Sequence, residues 1–243
     1  MRILISQNAP SMMNAYDVLK GEFGAELVFR PFFKIEPVSS REFREQKINL
    51  PDYSAIVFSS RHAIDAYFAL AEELRFKVPE TMKYFCTTEL VANYLQKHTV
   101  YRKRKIFFGD GTPQSVAALI GPKHKGEKFL ITKNEGAGSG IMAELFKKAG
   151  LDFSEGVLVK SVTQALKDLN ISDFDIVVLY NPADVKSLFE NFPDFRQGEV
   201  KFVTFGKGVV KAAEEAGLVL AAKAPTPQAP NAARAIEILL GKN

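Results

Sequence analysis

Two segments of this chain repeat two others in a different order, and that permutation constrains the fold more than any motif. Residues 52–68 (DYSAIVFSSRHAIDAYF) lie over residues 173–189 (DFDIVVLYNPADVKSLF), matching in polarity almost position by position. Residues 3–8 (ILISQN) lie over 129–134 (FLITKN), and the same frame brings Gly24 onto Gly150 and Glu26 onto Asp152. GTPQ at 111–114 recurs as PTPQ at 225–228, each expected to open a helix. One copy runs through 52–123 and then 127–155. The other has its opening module at 1–30 and the remainder at 173–240. A continuous lobe, 36–164, is therefore expected inside a split lobe made of 1–35 and 165–243. The crossings fall near 30–50 and 155–169, which lack the repeat pattern and should supply two adjacent strands as a waist.

Within each copy, short apolar runs alternate with amphipathic stretches of helical length. Strands are expected at 2–6, 25–29, 55–59, 82–86, 105–108, 129–132, 156–162, 175–180, 201–205 and 218–222. Helices are expected at 12–23, 63–74, 90–98, 113–120, 140–149, 184–192, 207–216 and 227–240. Strand and crossover helix repeated this often predict parallel sheets. The fold class is therefore α/β: two similar parallel-sheet lobes, flavodoxin-like, joined by the two-stranded waist. A chain of 243 residues suits two such lobes. In parallel sheets ligands bind beyond the carboxyl ends of the strands, where helix N-termini point. That selects 59–62, 86–89, 109–114, 132–140, 181–183, 206–208 and 225–228, facing an expected cleft between the lobes.

Composition narrows the chemistry. One cysteine, Cys86, excludes an intrachain disulfide framework and a thiolate zinc cluster, and fits a reducing, cytoplasmic setting. No apolar run approaches the ~20 residues of a membrane helix. The net charge of +4 suits an anionic ligand without demanding nucleic acid. YRKRK at 101–105 is the densest basic run and reads first as solvated surface. His62, His98 and His124 share no metal-ligand spacing, so no metal is expected. EGAGSG at 135–140 matches neither a dinucleotide fingerprint nor a Walker loop and reads as a flexible loop.

The strand-to-helix junctions each carry two readings. Ser59, Ser60 and Asn181 are good helix caps, yet a cap also presents donors to an anion. Thr112 and Thr226, each before a proline, are open to the same two readings. Lys160 lies in an alternating strand and reads either as edge protection or as a group facing the ligand.

The order of these elements resembles the uroporphyrinogen-III synthase family over essentially the whole chain. Phe58-Ser59-Ser60-Arg61-His62-Ala63-Ile64 is similar to the family's strand ending in Phe-Thr-Ser, followed by a polar residue and Ala-Val. Pro225-Thr226-Pro227-Gln228 resembles its last Pro-Thr-Pro, residues 179–189 its Phe-Phe-Ser-Pro stretch, and 200–206 its strand ending in Ile-Gly. Three places depart from the family pattern. Lys207-Gly208-Val209-Val210 follows the last glycine, Cys86-Thr87-Thr88-Glu89-Leu90 replaces Gly-x-x-Thr-Ala, and Lys160 stands where the family carries a tyrosine thought to assist catalysis.

The resemblance implies a cytoplasmic enzyme of heme and porphyrin biosynthesis, a cyclising carbon–oxygen lyase. Its substrate would be hydroxymethylbilane, a linear tetrapyrrole with eight carboxylates, closed with loss of water and inversion of ring D. No cofactor, metal, nucleic acid or membrane is implied, and the expected state is a monomer. The expected catalytic candidate is Lys160. The expected substrate-binding residues are Ser59, Ser60, His62, Thr87, Thr88, Lys133, Asn134, Asn181, Lys201, Gly206, Lys207, Gly208 and Thr226. The three departures leave open a reduced activity, or a relative that holds a tetrapyrrole or another polyanion without turnover.

Overall fold

A computed structural model of the chain describes residues 1–136 and 140–241. The strands are β1 (Arg2–Ile5), β2 (Glu26–Phe29), β3 (Phe33–Pro37), β4 (Ala55–Phe58), β5 (Lys83–Cys86), β6 (Ile106–Phe108), β7 (Lys128–Asn134), β8 (Asp152–Thr163), β9 (Ile176–Leu179), β10 (Lys201–Phe205) and β11 (Leu220–Ala224). The α-helices are α1 (Asp17–Gly21), α2 (Ser40–Glu45), α3 (Arg61–Glu73), α4 (Glu89–Tyr94), α5 (Pro113–Ile120), α6 (Ile141–Lys148), α7 (Pro182–Asn191), α8 (Lys207–Glu215) and α9 (Ala232–Leu239).

The chain divides into two compact units, one of residues 1–34 with 162–243 and one of residues 35–161. The first holds a five-stranded sheet ordered β11-β10-β9-β1-β2, parallel throughout. The second holds a six-stranded sheet ordered β3-β8-β7-β4-β5-β6, with parallel pairing from β8 through β6. Laying β1 on β7 and β9 on β4, as the repeat requires, makes the two strand orders coincide except for β3. Each sheet is thus doubly wound about its own repeat.

Each sheet is buried on both faces, which is why its central strands read as unbroken apolar runs. In the first unit Ile3, Ile5, Ile176 and Val178 enter one cluster, while Leu4, Val177 and Leu179 enter another on the opposite face. In the second, Ile56 and Phe58 pack one face with Tyr67, and Ala55 and Val57 pack the other with Phe85 and Phe129. Successive side chains of a strand point to opposite faces, so adjacent residues serve different cores.

Several expectations are corrected. The last helix begins at Ala232, not at 227, because Thr226 closes a turn with Ala229 and Asn231 supplies the cap, its Oδ1 accepting from the Arg234 amide at 2.8 Å. Pro230 stands between the two and has no amide to extend a helix from 227. The first helix is a 3-10 turn, Asn14–Tyr16, followed by five α residues. Strand β8 starts at Asp152 and runs for 12 residues, with Gly156 inside it. The segment 30–50 contributes the expected strand, β3, beside β8, and also a helix, α2, that was not expected. Strand β8 therefore lies between β3 and β7 and is not an edge strand.

Candidate functional site

Sheet geometry decides which sequence candidates can meet a ligand. In the unit of residues 35–161, Ser59 and Ser60 follow β4, and Lys133 and Asn134 end β7, its parallel neighbour. With His62 from the first turn of α3 they line one pocket of about 490 Å3, walled in part by Ile131 and Met142. Ser60 is the N-cap of α3, its Oγ accepting from the Ala63 amide at 3.1 Å. Ser59 and His62 are exposed, and their side chains make no hydrogen bond among the described residues. Thr132, buried behind them, donates its hydroxyl to the Val57 carbonyl at 2.8 Å and so ties β7 to β4 under the pocket.

The electrostatics of this pocket are mixed. Lys133 Nζ lies 3.5 Å from Glu155, which also lines the pocket, so the ammonium is partly compensated. The α3 N-terminus is capped by a neutral hydroxyl, and no acidic residue occupies its first turn. Its free amides retain the partial positive charge of a helix start. The same pocket is lined by the hydroxyls of Ser59 and Ser60, the His62 imidazole and the Asn134 amide.

The other unit has a pocket of its own, about 480 Å3, at the carboxyl ends of β1 and β9. Asn181 lines it and caps α7, its Oδ1 accepting from the Ala183 amide at 3.0 Å. Here the cap is reciprocal, because Asp184 Oδ2 accepts from the amides of Tyr180 and Asn181, each at 2.9 Å. The Ser6 hydroxyl donates to the same oxygen at 2.7 Å. Asp184 is 1% exposed, and burial pushes its carboxyl above the ordinary aspartate range. Beyond the pocket's polar end, the hydroxyls of Tyr180 and Tyr16 approach to 3.3 Å.

The remaining candidates are dispersed. Thr88 caps α4 and borders a separate groove with Leu90 and Phe108, while the Thr87 amide donates to the Phe58 carbonyl at 3.0 Å. Gly206, Lys207 and Gly208 stand at the carboxyl end of β10. Gly206 has φ 117°, where only glycine is comfortable, and α8 has no side-chain cap. Thr226 is exposed on its turn after β11. Lys201 is misplaced as a candidate, since it opens β10 and bonds through its amide to the Asp175 carbonyl. It lies at the amino end of the sheet, a full strand from the ligand side.

Lys160 carries a finding the sequence did not suggest. Its Nζ donates to Glu42 Oε1 at 2.5 Å, and Glu42 Oε2 accepts from both the amide and the hydroxyl of Ser39 at 2.7 Å. The hydrogen bond from Lys160, then those from Ser39, hold Glu42 down at about 2, and the same carboxylate raises Lys160. Because β8 is an interior strand, edge protection does not explain this lysine. It is a permanently charged group with its counterion in place.

Sequence reading missed Ser6, Asp184, Glu42 and Glu155. Asn181 followed three residues later by Asp184 is the spacing of a capping box, which is the one signal that could have found Asp184. Of the loop 135–140, expected to be flexible, residues 137–139 lie outside the described residues. Among the described residues no group of three or more His, Cys, Asp or Glu could hold a metal ion, and no helix is long and apolar enough to cross a membrane. Cys86 is buried, which raises its thiol to about 12, so it is a core residue and not a nucleophile.

The family model for uroporphyrinogen-III synthase HemD matches residues 15–232. The chain belongs to the uroporphyrinogen-III synthase family. Two solved structures agree with that fold over their full length. The uroporphyrinogen-III synthetase of Helicobacter pylori covers 100% of both chains at a TM-score of 0.59 and 15% identity. A mutant uroporphyrinogen III synthase of the extreme thermophile Thermus thermophilus covers 100% of both chains at 0.56 and 15% identity. At that identity the likeness speaks for the fold alone. No curated protein matches the chain by sequence. As a member of the uroporphyrinogen-III synthase family the chain is an enzyme of porphyrin biosynthesis that acts on a tetrapyrrole.

Proposed function

We propose that this chain closes hydroxymethylbilane to uroporphyrinogen III, as a carbon–oxygen lyase that works as a monomer without cofactor or metal. The observation that carries this reading is the family match across residues 15–232. The C–O bond of the hydroxymethyl group breaks and hydroxide takes up a proton to leave as water. The cationic carbon left behind is attacked by ring D, which inverts through a spiro intermediate before the macrocycle closes. The last step returns a proton to solvent.

Little covalent work falls to the protein in such a scheme, and positioning with charge stabilisation supplies the catalysis. Ser59, Ser60, His62 and Asn134, with the α3 amides, form the donor set that would hold carboxylates of the substrate. Lys160 is not the proton donor in this reading, because its hydrogen bond to Glu42 raises its pKa and makes the ammonium a weaker acid. Its charge is offset by Glu42, so it would oppose a cation forming nearby less than a bare ammonium would.

Incubating the protein with hydroxymethylbilane and resolving the product isomers tests the proposal. Unassisted closure yields the type I isomer. Type III product above that background is the expected result, and type I alone would overturn the reading.

A further inference from the structure

The basic run 101–105 takes no part in the proposed chemistry, yet two of its residues border a cavity. It lies at the amino ends of β5 and β6, the opposite end of the sheet from Ser60 and Asn134. Its volume is about 150 Å3, and a cavity of about that size accepts a benzene ring. Phe68, Met82 and Ile106 give it apolar walls, while Tyr84, His98 and Arg102 give it polar ones.

Tyr84 is the residue whose packing leaves something over. It is 3% exposed, and its ring lies 6.2 Å from Phe58 and 6.3 Å from Phe68. Its hydroxyl has no hydrogen-bond partner among the described residues, but it keeps some accessible surface, and Tyr84 lines the cavity. Burial pushes the phenol up to about 12, so it stays a neutral donor. His98 is held in place beside it. Asp65 accepts from His98 Nε2 at 2.7 Å and from the Tyr94 hydroxyl at 2.8 Å, and the imidazole stacks on Phe68 at 4.6 Å. The charge at the rim is positive on balance. Arg102 and Lys105 face a single lining carboxylate, Glu80, which stands 3.8 Å from the guanidinium, too far for a hydrogen bond.

We propose that this cavity is a second binding site, for a small organic anion with one flat apolar ring and one carboxylate. The Tyr84 hydroxyl is its buried donor, and Arg102 and Lys105 supply the positive charge. An inorganic anion would leave the apolar walls uncovered, and a neutral ring would leave the cations unanswered. The site belongs to the unit of residues 35–161 and does not depend on the tetrapyrrole reading.

Benzoate is the probe, with benzamide as its neutral counterpart, each titrated into the full chain and followed by heteronuclear NMR. Benzoate should saturate with a Kd of about 1 mM or tighter, shifting amides within 78–84 and 98–106, and benzamide should bind roughly tenfold more weakly. Equal binding of the two would show a cavity indifferent to charge. No saturation, or shifts confined to 59–62 and 132–134, would remove the site, and each of these results overturns the proposal. Tyr84→Phe keeps the ring and removes only the hydroxyl, so it should keep Tm and weaken benzoate by roughly tenfold. Arg102→Gln, at the rim, decides the matter if that variant does not fold, and should weaken benzoate while leaving benzamide unchanged. Full benzoate affinity in either folded variant would overturn the proposal.

Discussion

Ser59 and Ser60 are adjacent, line the same pocket and differ in one respect that makes them a matched pair. Ser60 Oγ accepts from the Ala63 amide and so holds the start of α3, whereas Ser59 has no structural bond among the described residues. Ser60→Ala should cost about 1 kcal/mol of stability, within the roughly 0.5–2 kcal/mol range for a lost cap. For a chain of this size that corresponds to about 2–4 °C in Tm. Ser59→Ala should leave Tm unchanged within the scatter of ordinary surface substitutions, about 0.5 kcal/mol.

Ligand binding should reverse this contrast into a similarity. A hydroxyl has one proton and two lone pairs, so accepting from Ala63 leaves Ser60 free to donate to an anion. A hydrogen bond to a charged group contributes about 1.5–3 kcal/mol, so each variant should raise KM for hydroxymethylbilane by roughly tenfold or more. Thermal denaturation followed by circular dichroism gives the first quantity, and initial rates of type III formation give the second. A Ser60→Ala protein that melts early but keeps its KM would show that Ser60 is a cap and nothing else. Normal KM in both variants would remove the carboxylates from this pocket altogether.

Lys160→Arg should keep both activity and the pH–rate profile, since the counterion Glu42 accepts either cation, and loss of the alkaline limb in that variant would restore a proton-transfer role. Burial raises the Asp184 carboxyl above its unfolded value near 3.9, so the folded chain keeps a proton that the unfolded chain has released. Stability from that group is complete below about pH 4 and falls as pH rises through the folded value, by at most about 1.4 kcal/mol per unit. Asp184→Asn cannot titrate, so chemical denaturation should show the unaltered protein losing stability relative to it above about pH 4, and a constant difference would contradict the assigned shift. Gly206→Ala meets open space but a φ of 117°, so it should cost about 1–3 kcal/mol in urea denaturation from backbone strain alone, and a neutral result would mean the loop relaxes.

Legibility in the sequence followed burial. Strands β4 and β9 are apolar at every position because both faces of their sheets are covered, so AIVF and IVVL announce themselves. The starts of α3, α5 and α7 were readable for a local reason, since Ser60, Thr112 and Asn181 bond to amides two or three residues on. A strand was expected within 30–50 and β3 lies there beside β8, but its bounds were not readable, because FKIEP sets charged residues and a proline among only partly buried positions. The pair of Glu42 and Lys160 joins residues 118 apart, Lys160 on the expected strand β8 and Glu42 on α2, a helix the pattern did not flag, and no local signal could have announced it. Thr226 misled for the opposite reason. Its Thr-Pro sequence is a true local signal, but the turn it closes ends before Pro230.

The two halves of the repeat show how one scaffold can be given opposite electrostatic demands. When DYSAIVFSSRHAIDAYF is laid on DFDIVVLYNPADVKSLF, Ser60 meets Asn181 and Ala63 meets Asp184. Both helices begin with a neutral cap, and three residues later one has a methyl group and the other a carboxylate. At α3 the partial positive charge of the helix start is unspent, and an external anion can use it. At α7 the chain supplies its own carboxyl, Asp184, which takes up the amides of Tyr180 and Asn181, so the same geometry offers an external carboxylate less of that charge.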